Sequence, residues 1–266
     1  MLRVGILGKT DSARRKAQIV VASEIARLVD ALNDPRELIE ASDLVVLADG
    51  EAGSRAELAT LALRRGRHVF SDWPIAGNAE SARKLSQTAD ESGVELVVNR
   101  PDRLHPAVRA LRDKAPSLTD VTLVAGRHYR FENLLTDAVD LCMFLNGGSG
   151  IHRYEAEAVG DANASVSALS FALRFHSGSL ALGHVRKSDG HPVRTMFAAG
   201  NGWSDQVDLL GSEWLEGAYD PSTDEQSFAS CIQRLAKEEP VETTLYDLEE
   251  TIRSVGNIIT RMRGLE

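Results

Sequence analysis

Cysteine and long apolar runs are both scarce in this chain, and each scarcity closes off a class of protein. Two cysteines in 266 residues, Cys142 and Cys231, with no C-x-x-C, give no disulfide framework. No apolar run approaches the roughly 20 residues that a membrane-spanning helix needs. Basic charge is short as well. Against 39 Asp and Glu stand 30 Lys and Arg, a net charge of −9 at pH 7, whereas nucleic acid and anionic membranes select basic surfaces. The first residues, MLRVGILG, carry no basic-then-apolar leader, so the expected setting is the reducing cytoplasm. The seven histidines form no H-x-x-x-H and no Cys/His cluster, so no metal is expected.

What is present is an ordinary globular balance, 43% hydrophobic and 26% charged, in a chain long enough for two domains. Residues 2–7 are a short apolar run ending at Gly8. Residues 43–48 (DLVVLA), 67–70 (RHVF) and 94–98 (VELVV) are further runs of strand length. Helical stretches lie between them, at 56–65 with Leu58, Leu61 and Leu63, and at 79–92 with Ala82, Leu85 and Ala89. Strands alternating with helices predict a parallel sheet with right-handed crossovers. After about residue 118 the pattern changes. Residues 121–130, 165–176, 179–186, 192–199 and 206–210 read as strands, with a hairpin turn at Ser177-Gly178. One helix spans about 134–145, and a last one about 246–261 carries Leu248, Ile252, Val255 and Ile259 on one stripe. The acidic clusters at 220–225 and 237–239 read as solvated loops.

Gly8-Lys9-Thr10-Asp11-Ser12-Ala13 follows the first strand, where a dinucleotide fingerprint G-x-G-x-x-G/A belongs. Its glycines permit a tight turn and let a pyrophosphate approach the N–H groups of a helix N-terminus. Gly8 and Ala13 fit the first and third places, while Thr10 stands at the second and keeps a ligand farther from the backbone. The same residues also read as a plain strand-to-helix turn with Asp11 or Ser12 as N-cap. An acidic residue closing the second strand holds the adenosine ribose in such sites. Residues 18–22 are the expected second strand, with Ser23 or Glu24 at its end. Val21, Ile25, Leu28, Val29 and Leu32 also fit a helical stripe, so either the second strand or the second helix is nearly absent. Asp49 and Gly50 follow the run 43–48, where such sheets place ligands, and Gly53, Ser54 and Arg55 come next.

Residues 66–76 (GRHVFSDWPIA) resemble the G-K-H-V-x-x-E-K-P-x-A segment of the Gfo/Idh/MocA (glucose–fructose oxidoreductase/inositol dehydrogenase) family. Residues 99–108 (NRPDRLHPAV) resemble its N-x-R-x-x-P-A-V, residues 140–147 (DLCMFLNG) its D-x-x-x-W-L-x-G, and residues 241–248 (VETTLYDL) its closing P-V-T-x-x-D-A helix. The resemblance implies an α/β fold class. A Rossmann-like parallel sheet domain, 1–118, is followed by an α+β domain with a mostly antiparallel open sheet, 119–266. It implies NAD or NADP, held by Gly8, Thr10, Asp11, Ser12, Ala13, Asp49, Gly50, Asp72, Trp73, Pro74 and Arg103, and hydride transfer at a small sugar-like or cyclic substrate. An open sheet needs cover on its free face, which predicts a homodimer or higher homo-oligomer.

Members of that family use the Lys of E-K-P and the His of a D-x-G-x-H-x-x-D segment. Trp73 and Asp137 stand at those places here, and they are the candidate catalytic residues of an atypical active site. Trp exchanges no proton, although it stacks and donates one N–H. Asp serves as a base only where burial raises its pKa. The alternative is a non-catalytic homologue that senses a ligand or scaffolds a partner. Trp73 has three open roles: stacking on the nicotinamide, filling the space of the lysine chain, or packing between domains. On the expected strands His128 shares a face with Arg130, and His184 with Arg186. With Arg127 and Arg174 they make either a site for an acidic ligand or a solvent-facing or interface patch. Trp203 and Trp214 are expected to pack between sheet and helix, and Cys142 in the core.

Overall fold

The computed structural model describes residues 1–266 except 31–33, 128, 149, 160–166, 211–220, 242–244 and 263–266, and describes 159, 221–223 and 246 by backbone alone. The chain folds as two compact units. One is Met1–Pro101 with Pro221–Glu249, the other Asp102–Asp220 with Glu250–Glu266. The sequence reading divides the chain at residues 118 and 119, whereas this grouping divides it at Pro101 and returns a distant segment to the first unit.

In the first unit, LRVGIL forms β1 (Leu2–Leu7) and Thr10 caps α1 (Asp11–Val21), its hydroxyl accepting from the Ala13 amide. β2 (Ala26–Leu28) is three residues long, and Asp34 caps the short α2 (Pro35–Ala41). Then come β3 (Leu44–Leu47), α3 (Ala52–Arg64), β4 (His68–Asp72), α4 (Ala79–Ser92) and β5 (Leu96–Asn99). The strands run parallel in the order β2-β1-β3-β4-β5. Of residues 18–22, expected as the second strand, 18–21 belong to α1 and Ala22 is its C-cap. The buried positions Ala13, Lys16 and Val20 are spaced as a helix requires, and a lysine in that stripe disguises it. The second strand and second helix are therefore both present and both short.

In the second unit, α5 (Pro101–Leu104, whose first residue belongs to the first unit) and α6 (Pro106–Asp113) lead to β6 (Leu118–Ala125) and α7 (Phe131–Leu145). β7 (Ile151–Val159), β8 (Ala168–Phe175), β9 (Leu180–Lys187), β10 (Val193–Gly200) and β11 (Trp203–Asp208) complete a sheet ordered β11-β10-β6-β9-β8-β7. Only the β6–β9 pair is parallel among the described residues. The β8–β9 hairpin turns at Gly178, with φ 87°, as its Ser-Gly pair predicts. Gly183 leaves room for the Phe171 ring across that hairpin, since a Cβ there would lie 2.0 Å from Cζ. One face of the sheet packs Val121, Leu123, Leu173 and Val185 on Leu135, Ala138, Val139 and Cys142 of α7. The other face carries Ser170, Arg174, Arg186 and Phe197, which are exposed.

α8 (Pro221–Ala236) falls on the acidic cluster expected as a solvated loop. Its first turn is acidic, but Phe228, Cys231, Ile232 and Leu235 recur at helical spacing and join Val4, Val20, Phe70 and Val97 in the first unit's core. A 3-10 turn (Leu245–Asp247) and α9 (Leu248–Met262) end the described chain, and Val255 and Ile258 of α9 join the second unit's core. Because the Phe228 ring is 0% exposed and meets Phe70 edge-on at 5.0 Å, Phe228→Ala is expected to cost the first unit about 3–5 kcal/mol. Urea denaturation checks this, and a loss below about 1 kcal/mol would show that α8 is not a required part of that core.

Candidate functional site

In an open parallel sheet, ligands gather outside the carboxyl ends of the strands where strand order reverses. That point lies between β1 and β3. The turns there are tied together: the Thr10 hydroxyl donates to the Ala48 carbonyl at 2.9 Å, and the Asp49 carboxylate accepts from the amides of Lys9 (3.3 Å) and Gly50 (2.6 Å). Gly8 has φ 153°, and a Cβ on it would lie 3.0 Å from Asp49 Cβ, 3.2 Å from Ala48 C and 3.3 Å from Ala13 Cβ. Only glycine fits this crossing of the two turns. Thr10, not Asp11 or Ser12, is the N-cap, and Asp11 pairs with Arg14 at 2.5 Å. Gly8, Thr10, Asp11, Asp49 and Gly50 are all exposed, and Ala13 is buried behind them. The cradle fits a dinucleotide in shape.

Glu24 lies ahead of β2, so it does not close that strand. The acidic residue beyond the carboxyl end of β2 is Asp30, which is exposed. It follows Gly8 at about the 20-residue spacing of the ribose-holding acid in dinucleotide sites, a signal legible in the sequence once β2 is placed correctly.

At the end of β4, the Asp72 carboxylate accepts from the Ser12 hydroxyl at 3.1 Å and faces the Lys16 ammonium at 3.0 Å. Lys16, 1% exposed, also meets Ser12 Oγ at 2.7 Å and Asp224 of α8 at 3.0 Å, and Asn99 at the end of β5 donates to Asp224. Pro74 follows Trp73 through a cis peptide, and its carbonyl accepts from Arg55 Nη2 at 2.5 Å. Burial pulls the Arg55 guanidinium below its ordinary pKa, and the charges of Asp72 and Asp49 oppose that shift. The Arg100 guanidinium lies 4.2 Å over the Trp73 ring and donates to Asp247 at 2.7 Å. One face of Trp73 is therefore occupied from within the first unit, and its indole N–H is buried with no hydrogen-bond partner among the described residues. Sequence reasoning missed Lys16, Asn99, Arg100, Asp224 and Asp247. The one available signal was a lysine on the buried stripe of α1.

In the second unit, Arg103 is 1% exposed and holds Asp140 at 2.7 and 2.5 Å, so the guanidinium expected at the cofactor is engaged there. Asp137, one turn earlier on α7, accepts from the Tyr129 hydroxyl at 3.2 Å and from Arg194 at 3.3 Å. Arg194 also donates to Asp102 at 2.8 Å. Burial pushes the Asp137 carboxyl up to about 6. Arg194 pulls it down, Asp102 and Asp140 push it further up, and the Tyr129 hydrogen bond lowers it. The charge of Asp137, with burial, raises the Tyr129 phenol, which therefore stays protonated as a donor.

The expected basic patch does not form as drawn. β6 stops at Ala125, Arg127 pairs with Asp189 at 2.8 Å, and Arg130 is the N-cap residue of α7. His128 and Trp214 lie outside the described residues. His184 and Arg186 do share the free sheet face, and His184 hydrogen-bonds Ser170 at 2.9 Å. Trp203 is half-buried against the second unit's core, and Cys142 is fully buried with its thiol pKa raised by burial. Among the described residues no group of three or more His, Cys, Asp and Glu is placed to hold a metal.

Residues 4–100 match the family described as "Oxidoreductase family, NAD-binding Rossmann fold". Dehydrogenase aclE of Aspergillus oryzae is 39% identical over 71 residues, 27% of this chain and 19% of that protein, so the match spans about a fifth of the relative's length. UDP-N-acetylglucosamine 3-dehydrogenase GnnA from Acidithiobacillus ferrooxidans superposes with a TM-score of 0.86 over 100% of this chain and 99% of that one at 17% identity. A probable dehydrogenase from Thermotoga maritima gives 0.84 over 100% and 98% at 14% identity. At those identities the likeness shows the fold. The family match covers residues 4–100, the Rossmann part of the first unit, and the likeness over the whole chain is to the fold of these dehydrogenases.

Proposed function

We propose that this chain is a nicotinamide-dependent oxidoreductase whose first unit binds NAD and whose second unit supplies Asp137 as the proton acceptor and donor toward a hydroxyl-bearing, sugar-like substrate. The observation that carries the reading is Asp137, a carboxylate 12% exposed and held by Tyr129 at 3.2 Å and Arg194 at 3.3 Å, at the position where the family resemblance puts a histidine, with desolvation pushing it up to about 6. A base works best with its pKa near the working pH, and a carboxyl at about 6 does the work of an imidazole. The relative that acts on UDP-N-acetylglucosamine supports a sugar-like substrate class.

The dinucleotide, when bound, supplies the hydride carrier. Gly8, Thr10 and the N-terminus of α1 would hold its pyrophosphate, and the exposed Asp30 would accept from the adenosine ribose. Asp137 takes the proton of the substrate hydroxyl, or returns it in the reverse direction. Tyr129 and Arg194 orient that carboxylate, and Tyr129 itself takes no proton. A second reading, binding without turnover, is favoured by Trp73, which stands in place of a lysine and exchanges no proton. Turnover of any sugar or inositol would end it.

Asp30 decides between cofactors, because the 2′-phosphate of NADP would meet its carboxylate. NAD is expected to bind about tenfold more tightly than NADP, and Asp30→Ser to narrow that gap, as read by calorimetry. Equal affinities would remove Asp30 from the site.

Asp137 also ties function to pH. Its folded pKa lies above its ordinary value of 3.8, so the stability this group contributes is present below about pH 4 and lost as pH rises through about 6. Asp137→Asn should therefore gain melting temperature relative to the unaltered chain on going from pH 4.5 to pH 7.5, while kcat falls at least 100-fold or so. A melting difference that does not change with pH would sink the raised pKa, and unimpaired turnover would sink the catalytic role.

The free sheet face of the second unit, with Phe197 37% exposed, supports a homo-oligomer, a dimer at least. Light scattering at micromolar concentration is expected to return at least twice the 28.9 kDa chain mass, and a clean monomer contradicts it.

A further inference from the structure

We infer that Lys16, which no ligand can reach, is the positioning residue for the nicotinamide half of the cofactor site; the inference rests on the dinucleotide reading above. A dinucleotide straddles the switch point, one half over β1 and β2 and the other over the strands beyond β3. Asp30 belongs to the first half. Asp72 and Asn99, at the carboxyl ends of β4 and β5, belong to the second.

The Lys16 ammonium donates to Ser12 Oγ at 2.7 Å and to Asp224 at 3.0 Å, and it lies 3.0 Å from Asp72 Oδ1 as an ion pair without a hydrogen bond. With 1% of its side chain exposed it touches solvent nowhere of consequence, whereas Asp72 keeps 22%. Lys16 therefore acts through Asp72 and Ser12, which are joined at 3.1 Å. Its charge is what lets two carboxylates from β4 and α8 lie on the same buried atom. Without it, Asp72 and Asp224 repel each other in a poorly solvated place, and Asp72 turns outward and leaves Ser12. Asp224 holds the arrangement from the other side, because it also accepts from Asn99. The site is thus set by a helix that lies 208 residues along the chain from Lys16.

The test compares NAD with ADP-ribose, which lacks the nicotinamide, by calorimetry on the full chain, with melting temperatures alongside. Lys16→Met is expected to weaken NAD about tenfold or more and to leave ADP-ribose within about twofold. Asp224→Asn, which keeps the shape of the side chain, should move the same ratio in the same direction by about threefold, and it carries the test if Lys16→Met does not fold. Equal weakening of both ligands, or no change in either, overturns the positioning role. If the unaltered chain binds neither ligand, the dinucleotide reading itself falls and this inference falls with it. If the unaltered chain binds both and the ratio stays constant across the variants, only this inference fails.

Discussion

A parallel sheet has to be buried on both faces, and in the first unit this requirement governs most of the rest. α3 and α4 bury Ala59, Leu63, Ala82 and Leu85 around it. α1 buries Ala13 and Val20 with the strand residues Val4, Leu44, Val46, Phe70 and Val97, and the remainder of that core is α8, brought back from beyond residue 220. Phe228 and Ile232 supply the apolar contact. The Lys16–Asp224 pair adds little net stability, since desolvation offsets much of its attraction. What it adds is register: a single placement of α8 brings Asp224 to both Lys16 and Asn99.

How much of this is legible in the sequence depends on whether local chemistry and burial agree. They agree in α4, where Asn78 accepts from the Ser81 amide at one end and Gly93 turns left-handed at the other, so the helix falls on 79–92 as its pattern predicts. They agree in β1, in the β8–β9 hairpin and in the apolar stripe of α9. They conflict in α8, where an acidic opening reads as a loop although Asp224 is buried and paired. β7 was not legible at all. It is an edge strand whose inward positions Tyr154 and Ala156 alternate with exposed Glu155 and Glu157, but small alanines make that alternation weakly apolar, and the register shifts between Ile151 and Arg153. β2 is too short to show a period.

The site divides in the same way. Gly8, Ser12 and Asp72 stand on local motifs, so the sequence offers them directly as candidates. The behaviour of Asp137 is not local. Its position comes from the family resemblance, but its raised pKa needs burial together with Tyr129 beyond β6, Arg194 of β10 and Asp102 of α5, groups whose approach no spacing announces. The same holds for Arg100 over Trp73. A cation beside an aromatic ring is a contact of the folded chain, and neither residue carries it alone.

A first unit assembled from two distant stretches has a history as well as a shape. During synthesis its opening 101 residues leave the ribosome with their strands and four helices, α1 to α4, and α8 does not exist until residue 221 has been added. At ordinary elongation rates the intervening residues 102–220 take roughly 6–24 s to make. For that interval Phe70 and Val97 lack the side chains that cover them in the finished protein, and the Lys16 ammonium has no Asp224. The nascent chain thus passes through a stage in which an apolar sheet face waits for its lid, the kind of surface that chaperones bind.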